Sequence, residues 1–214
     1  MSNNNLAINI CLLFNKEELY ELYQFNEYIW SKEKVGYLYD HSHQPHLTLF
    51  QKFIQEKDIE SSIEITKRFV NHNQIFPCFY GYSYTAHVQY LQSYKVAALE
   101  LEDRNGLLSQ YNHYFLSALT KLQNVQGSSQ SFVINEGNSE SIQWVNNYES
   151  KSLAGKYSPH ITIGFCSDSV FSDYPHPSPK ITLHPTHLVL ARMGNLCSIN
   201  SNIIYKYEIP KSKH

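Results

Sequence analysis

Two pentapeptides with nearly the same wording, Pro45-His46-Leu47-Thr48-Leu49 and Pro159-His160-Ile161-Thr162-Ile163, carry the chemistry of this chain. Proline, histidine and threonine are identical in both copies, and the other two positions are branched aliphatics each time. Successive side chains of an extended segment alternate between faces. Each copy therefore reads as a strand with an oily side, Leu47 and Leu49 or Ile161 and Ile163. Its opposite side carries an imidazole and a hydroxyl. Side by side, two such strands set two imidazoles and two hydroxyls around one cleft. Breaking a phosphodiester needs a base for the attacking oxygen, an acid for the departing one, and donors where negative charge gathers. Histidine's ordinary pKa of about 6.5 lets one ring be neutral while the other is charged. Thr48 and Thr162 would donate to the phosphoryl oxygens. The imidazolium and the hydroxyls supply the positive field, so the scheme calls for no metal and no other cofactor. The two prolines hold the backbone extended where each strand begins.

Other residues of the right type carry less of a pattern. His41, His43 and His46 lie close together beside Asp40, which raises the question of zinc. Metallo-hydrolase clusters add further ligands downstream, so His41 and His43 are read as loop residues, exposed or shaping the pocket. His184-Pro185-Thr186 repeats the triplet, but its central proline cannot donate to a ladder and no aliphatic follows the threonine. It is read as a chance match. Tyr80, Tyr82 and Tyr84 share one face of a strand, and Tyr82 is the one taken as a stacking surface for a base. Tyr157, three residues before His160, is placed to face the groove. Arg192 is a phosphate partner in waiting, and Lys52 a weaker one.

Positioning these groups requires a scaffold. Residues 6–14 form an apolar run suited to a buried strand, and 16–32 carry apolar residues at helical spacing. The first motif strand covers 46–50, followed by a helix over 58–72. Two adjacent antiparallel strands fit 78–90 and 95–101, and a third helix fits 106–122. Residues 124–157 turn polar and read as a long loop or lid with a short helix around 139–148. The second motif strand covers 160–165, a loop follows over 167–180, and strands at 187–193 and 203–209 close the chain through Gly194 and Asn195. The order is α+β. The expected arrangement is a single bilobal domain over residues 1–214. It has two small antiparallel sheets, helices on their outer faces, and a central groove lined by the two His-x-Thr strands.

Composition restricts the partner. In 214 residues only 17% are charged, the formal net charge is −2, and arginine stands only at 68, 104 and 192. A protein that tracks a long phosphate backbone carries a basic stripe, and none is visible. That leaves a nucleotide, an oligonucleotide or an RNA end as substrate. Four scattered cysteines without a C-x-x-C read as reduced thiols. The start of the chain has no positive n-region, and the 6–14 run is too short to span a bilayer. The expectation is a cytoplasmic monomer with no membrane contact.

The paired motifs, His46-Leu-Thr48-Leu and His160-Ile-Thr162-Ile, resemble those of the two-histidine (2H) phosphoesterase superfamily. That group includes bacterial 2′-5′ RNA ligase-like proteins, eukaryotic cyclic nucleotide phosphodiesterases and viral 2′,5′-oligoadenylate phosphodiesterases. Residues 144–148 (Trp-Val-Asn-Asn-Tyr), the approach Lys156-Tyr157-Ser158-Pro159-His160 and the closing strand and turn over 188–194 are also similar to segments of some members. The resemblance implies a bilobal fold with the motifs facing across a groove, no metal, and His46, His160, Thr48 and Thr162 as catalytic residues. The long segment between the motifs and the shortage of basic residues depart from the pattern. The expected activity is hydrolysis of a 2′-5′ phosphodiester or 2′,3′-cyclic phosphate. The alternatives are a non-catalytic nucleotide-binding module, or a phosphodiesterase that degrades a cyclic oligonucleotide signal. Which histidine is acid and which is base stays open.

Overall fold

In the computed structural model, the alternation of the two pentapeptides translates directly into two buried strands. Residues 4–40, 43–73, 76–90, 93–176 and 180–210 are described; His41 lies outside them. Strand β2 (His46–Gln55) and strand β5 (His160–Cys166) each begin at the motif histidine. Leu47, Leu49, Ile161 and Ile163 are fully buried, while His46, Thr48, His160 and Thr162 keep partial exposure on the other face.

Among the described residues these two strands sit at the middle of an eight-stranded sheet ordered β6-β3-β4-β5-β2-β1-β7-β8. One half consists of β2, β1 (Asn5–Phe14), β7 (Pro185–Met193) and β8 (Ile199–Glu208). The other consists of β5, β4 (Tyr94–Leu101), β3 (Phe79–Tyr90) and β6 (Ile181–Leu183). All neighbours are antiparallel. The halves meet at one register pair, Leu47 with Ile161. The two expected small sheets are thus present and joined along a short seam, beyond which β2 and β5 diverge.

Divergence leaves backbone carbonyls facing protein instead of a neighbouring strand, and a buried unpaired carbonyl costs about 1–3 kcal/mol. Side chains fill the gap. Helix α1 (Tyr20–Glu33) belongs to the chain between β1 and β2 but packs on β5, and its buried Asn26 donates to the Ile163 carbonyl at 2.6 Å. Tyr39, after the same helix, donates its hydroxyl to the Thr162 carbonyl. Helix α3 (Leu107–Leu119) lies between β4 and β5 in the chain but packs on β2. Its Asn112 donates to the Leu49 carbonyl at 2.8 Å, and Tyr157 donates to the Thr48 carbonyl at 2.9 Å. Each half therefore supports the other's motif strand. Helix α2 (Ile59–His72) packs against α3. Helices α1, α2 and α3 bring the buried Phe25, Phe69 and Phe115 into one continuous core with the sheet.

The segment 124–157 is the largest departure from the sequence reading. Its helix α4 runs Ser139–Leu153, longer than expected, because the Asn138 side chain caps it by accepting from the Ser141 N–H and good helix formers continue past 148. The polar stretch before it is fastened down. Arg192 donates to the carbonyls of Gln130, Ser131 and Phe132 at 2.8–3.2 Å. Gly127 lies so close to Phe53 that a Cβ there would sit 2.1 Å from the ring. Phe132 and Val145 join Ala7, Phe53 and Met193 in a second, smaller core. The segment is a wall packed on the sheet. Within 167–180, read as loop, a short helix α5 covers Asp168–Asp173, capped by Ser167. Strand β6, three residues long, is too short to leave a periodic trace. No helix of the described residues is long and apolar enough to cross a membrane.

Candidate active site

Both motif histidines and both motif threonines line one cleft. The single pair Leu47–Ile161 accounts for this. One step to either side of it, antiparallel geometry brings His46 toward Thr162 and His160 toward Thr48, on the face opposite the core. Helix α4 forms the far wall with Glu140, Ser141, Trp144 and Tyr148, four residues at helical spacing on one face. Tyr37, ahead of β2, and the bend at Asn195–Cys197 complete the rim. Leu196 and Cys197 hold positive φ angles of 57° and 56°, a conformation that costs about 1–3 kcal/mol for such residues. The bend is anchored by the Leu196 N–H on the Ser141 hydroxyl at 2.9 Å.

The two imidazoles are fixed in the same way. His46 Nδ1 meets the Gln44 carbonyl at 2.8 Å, and His160 Nδ1 meets the Ser158 carbonyl at 2.8 Å. A carbonyl only accepts, so Nδ1 carries the hydrogen in both rings and the lone pair of each neutral ring lies on Nε2. Ser158 is itself held by its hydroxyl on Glu100, which also accepts from Thr85; Glu100 pairs with His160 across β4 and β5.

Beyond that the sites differ. The His46 ring keeps a window on the cleft yet lies deep, and burial pushes its pKa down to about 4, with the nearness of His160 adding to the fall and the Gln44 carbonyl opposing it. The fully buried Asn9 on β1 reaches it, with its amide nitrogen 3.3 Å from His46 Nε2 and 3.1 Å from Thr48 Oγ1. The Gln51 amide approaches the same oxygen at 3.5 Å. With Thr48 Oγ1 accepting, its own hydrogen is free to donate into the cleft.

The remaining sequence-derived candidates are placed elsewhere. Tyr157 supports the Thr48 backbone from behind and does not line the cleft. Arg192 is spent on the 130–132 carbonyls, since its three bonds there leave no fork turned to a phosphate. Tyr82 is 58% exposed at a bulge between Gly81 and Ser83, two strands from β5. Lys52 is buried in an ion pair with Glu149 at 3.1 Å. His43 stacks on Tyr37, and His184 pairs with Glu18 at 2.7 Å on the surface. Among the described residues no group of three histidine, cysteine or acidic side chains is arranged to hold a metal ion. The four cysteines are free. Asn9, Asn26, Tyr39, Asn112 and Glu100 were not singled out by sequence, and Trp144 was named only within the segment 144–148 that carries the resemblance. The one usable trace was Asn9, the sole polar residue inside the apolar run of β1.

No protein-family model matches the chain, and no curated protein matches it. Among solved structures it is similar to one described as the crystal structure of a phosphoesterase, over 96% of this chain and 99% of that one, at 14% identity and a TM-score of 0.42.

Proposed function

We propose that this protein is a phosphodiesterase of the paired-histidine type, hydrolysing a 2′-5′ phosphodiester or a 2′,3′-cyclic phosphate of a nucleotide, oligonucleotide or RNA end. The observation that carries the reading is the convergence of His46, His160, Thr48 and Thr162 on one cleft, with both rings held through Nδ1. One Nε2 takes a proton from water or a ribose hydroxyl as that oxygen bonds to phosphorus. The other ring delivers its Nε2 proton to the departing oxygen as the second P–O bond breaks. The threonine hydroxyls donate to the non-bridging oxygens.

Charge narrows the substrate. Among the described residues that line the cleft there is no lysine or arginine, and Glu140 adds a carboxylate. A single diester, with one negative charge, suits this lining; a 5′-triphosphate would meet no cation there. Trp144 brings an aromatic ring to the cleft, and stacking of a base on such a ring is worth about 1–3 kcal/mol in single-strand binders.

The test is a panel of 2′-5′ and 3′-5′ oligonucleotides, with and without a 5′-triphosphate, plus cyclic dinucleotides and 2′,3′-cyclic nucleotides. Products are identified by mass spectrometry in the presence of EDTA. Turnover of a 2′-5′ or 2′,3′-cyclic member is expected. Binding without product in every case would make the protein a binding module, and turnover of cyclic dinucleotides alone would redirect the activity to a signalling nucleotide.

A further inference from the structure

We infer that Asn9 is a positioning residue that divides the labour between the two histidines: it holds His46 as the neutral base and aims the Thr48 hydroxyl, leaving His160 to act as the acid. The inference rests on the phosphodiesterase reading and deepens it.

The argument starts from an anomaly. Asn9 is completely buried in a strand whose neighbours, Ala7, Ile8, Ile10, Cys11 and Leu12, are all apolar and equally buried. A polar amide there is costly unless it is bonded. Its nitrogen goes to two residues of the proposed machinery, His46 Nε2 and Thr48 Oγ1, while its carbonyl oxygen is left buried with no partner among the described residues. The His46 Nδ1 hydrogen is already committed to the Gln44 carbonyl, so a neutral ring has only a lone pair at Nε2. The amide N–H can donate to that lone pair. A protonated ring would instead set two donors face to face.

The second half of the sheet has no such group. Cys11 pairs with Thr48, and Asn9 stands two residues further along β1, past a bulge. Ala98 pairs with Thr162, and two residues further along β4, again past a bulge, stands Val96. Val96 lines the cleft and offers no hydrogen bond. Among the described residues no side chain donates to His160 Nε2, so that nitrogen has no counterpart of the Asn9 amide. On substrate binding, the attacking water or hydroxyl takes the amide's place at His46 Nε2 and leaves its proton there. Its oxygen bonds to phosphorus while His160 protonates the departing oxygen.

Burial and the nearness of His160 also disfavour a charge on His46; the other titratable groups around it do not supply this bias. Tyr37 ahead of β2, Tyr148 on α4, Cys11 on β1 and Cys197 in the rim bend are pushed up by burial and stay neutral near pH 7. Asp40 and His43 bond each other in the approach to β2. Glu140 on α4 and His160 on β5 are the other ionisable groups sharing the cleft.

The test reads His46 directly, by NMR titration of its imidazole in wild type, Asn9→Ala and Asn9→Asp, alongside the pH dependence of kcat/KM. In wild type the ring is expected to stay neutral well below pH 6. Asn9→Ala lets water replace the amide and raises the midpoint by half a pH unit or more. Asn9→Asp gives the protonated ring an acceptor and raises it by more than one unit, and the acidic limb of kcat/KM moves with it. If Asn9→Asp does not fold, Asn9→Ala decides alone. A folded Asn9→Ala with an unmoved His46 midpoint overturns the inference. Titrations as expected in a protein that turns over no phosphodiester would instead overturn the function, with the Asn9–His46 pairing intact.

Discussion

The two halves of the sheet present the same motif with the same backbone support and unlike surroundings. On both sides a tyrosine hydroxyl holds the threonine carbonyl, an asparagine amide holds the next carbonyl, and a carbonyl two residues back holds Nδ1. The support is crossed, each half bracing the other. What differs is the ring's near neighbour across the strand pair. His46 faces Leu13 in register and has Asn9 beside it; His160 faces Glu100, and the β4 position corresponding to Asn9 is Val96. Matching frames fix where the two rings stand, and what differs is their company: beside Asn9, burial pushes the His46 pKa down to about 4.

The largest effect should come from deleting the rings. His46→Ala and His160→Ala are each expected to lower turnover at least ~100-fold, since a general acid or base contributes about 10²–10⁴. The comparison sharpens with a nucleoside phosphodiester bearing a p-nitrophenyl group, which departs without a proton. The loss in His160→Ala should shrink on that substrate while the loss in His46→Ala stays. Equal losses on both substrates would break the assignment of roles.

A smaller effect separates the halves without substrate. His46 resists protonation to about pH 4 in the folded protein, whereas an unfolded chain accepts that proton near 6.5. As pH falls from 6.5 to 4 the unfolded state binds the extra proton, so this ring removes stability across that window and none above it. With the ring partly open to the cleft, the loss is about 2 kcal/mol at pH 4. His46→Gln should flatten that part of the stability curve in urea titrations run from pH 7 to 4. An unchanged slope would mean that the ring is not held neutral.

The legible parts of this molecule are those where one side chain follows the chain's own period. Alternation in the pentapeptides located both motif strands and the four groups that line the cleft, because over the first four residues of β2 and β5 exposure alternates with position. The apolar run of β1 and the helical spacing of α1, α2 and α3 were equally plain. Contacts between distant segments were not. Arg192 looks like a phosphate ligand until the chain folds 60 residues back and spends its fork on the 130–132 carbonyls. Tyr157 sits three residues before His160, yet its hydroxyl serves the other motif strand, 109 residues away in the chain. Segment 124–157 reads as a long loop or lid because its anchors, Arg192 and Asn195, belong to the far end of the sequence.

The crossed support makes a last, smaller prediction that tests the likeness of the halves. Tyr39→Phe and Tyr157→Phe each remove one hydroxyl and leave the ring, so each orphans one threonine carbonyl at the seam, Thr162 or Thr48. Both tyrosines are pushed up by burial, so both donate as neutral phenols at any working pH. Losing such a bond while its partner stays buried costs about 1–3 kcal/mol. If the halves are equivalent frames, the two variants should lose similar stability by chemical denaturation. Both carbonyls flank the same seam, where Leu47 and Ile161 make the one register pair between β2 and β5. Loosening either side should let the strands part further, so the double variant should lose less than the two single losses combined. Strict additivity would show the two bonds acting independently, and a large loss from only one would show the frame resting on that half alone.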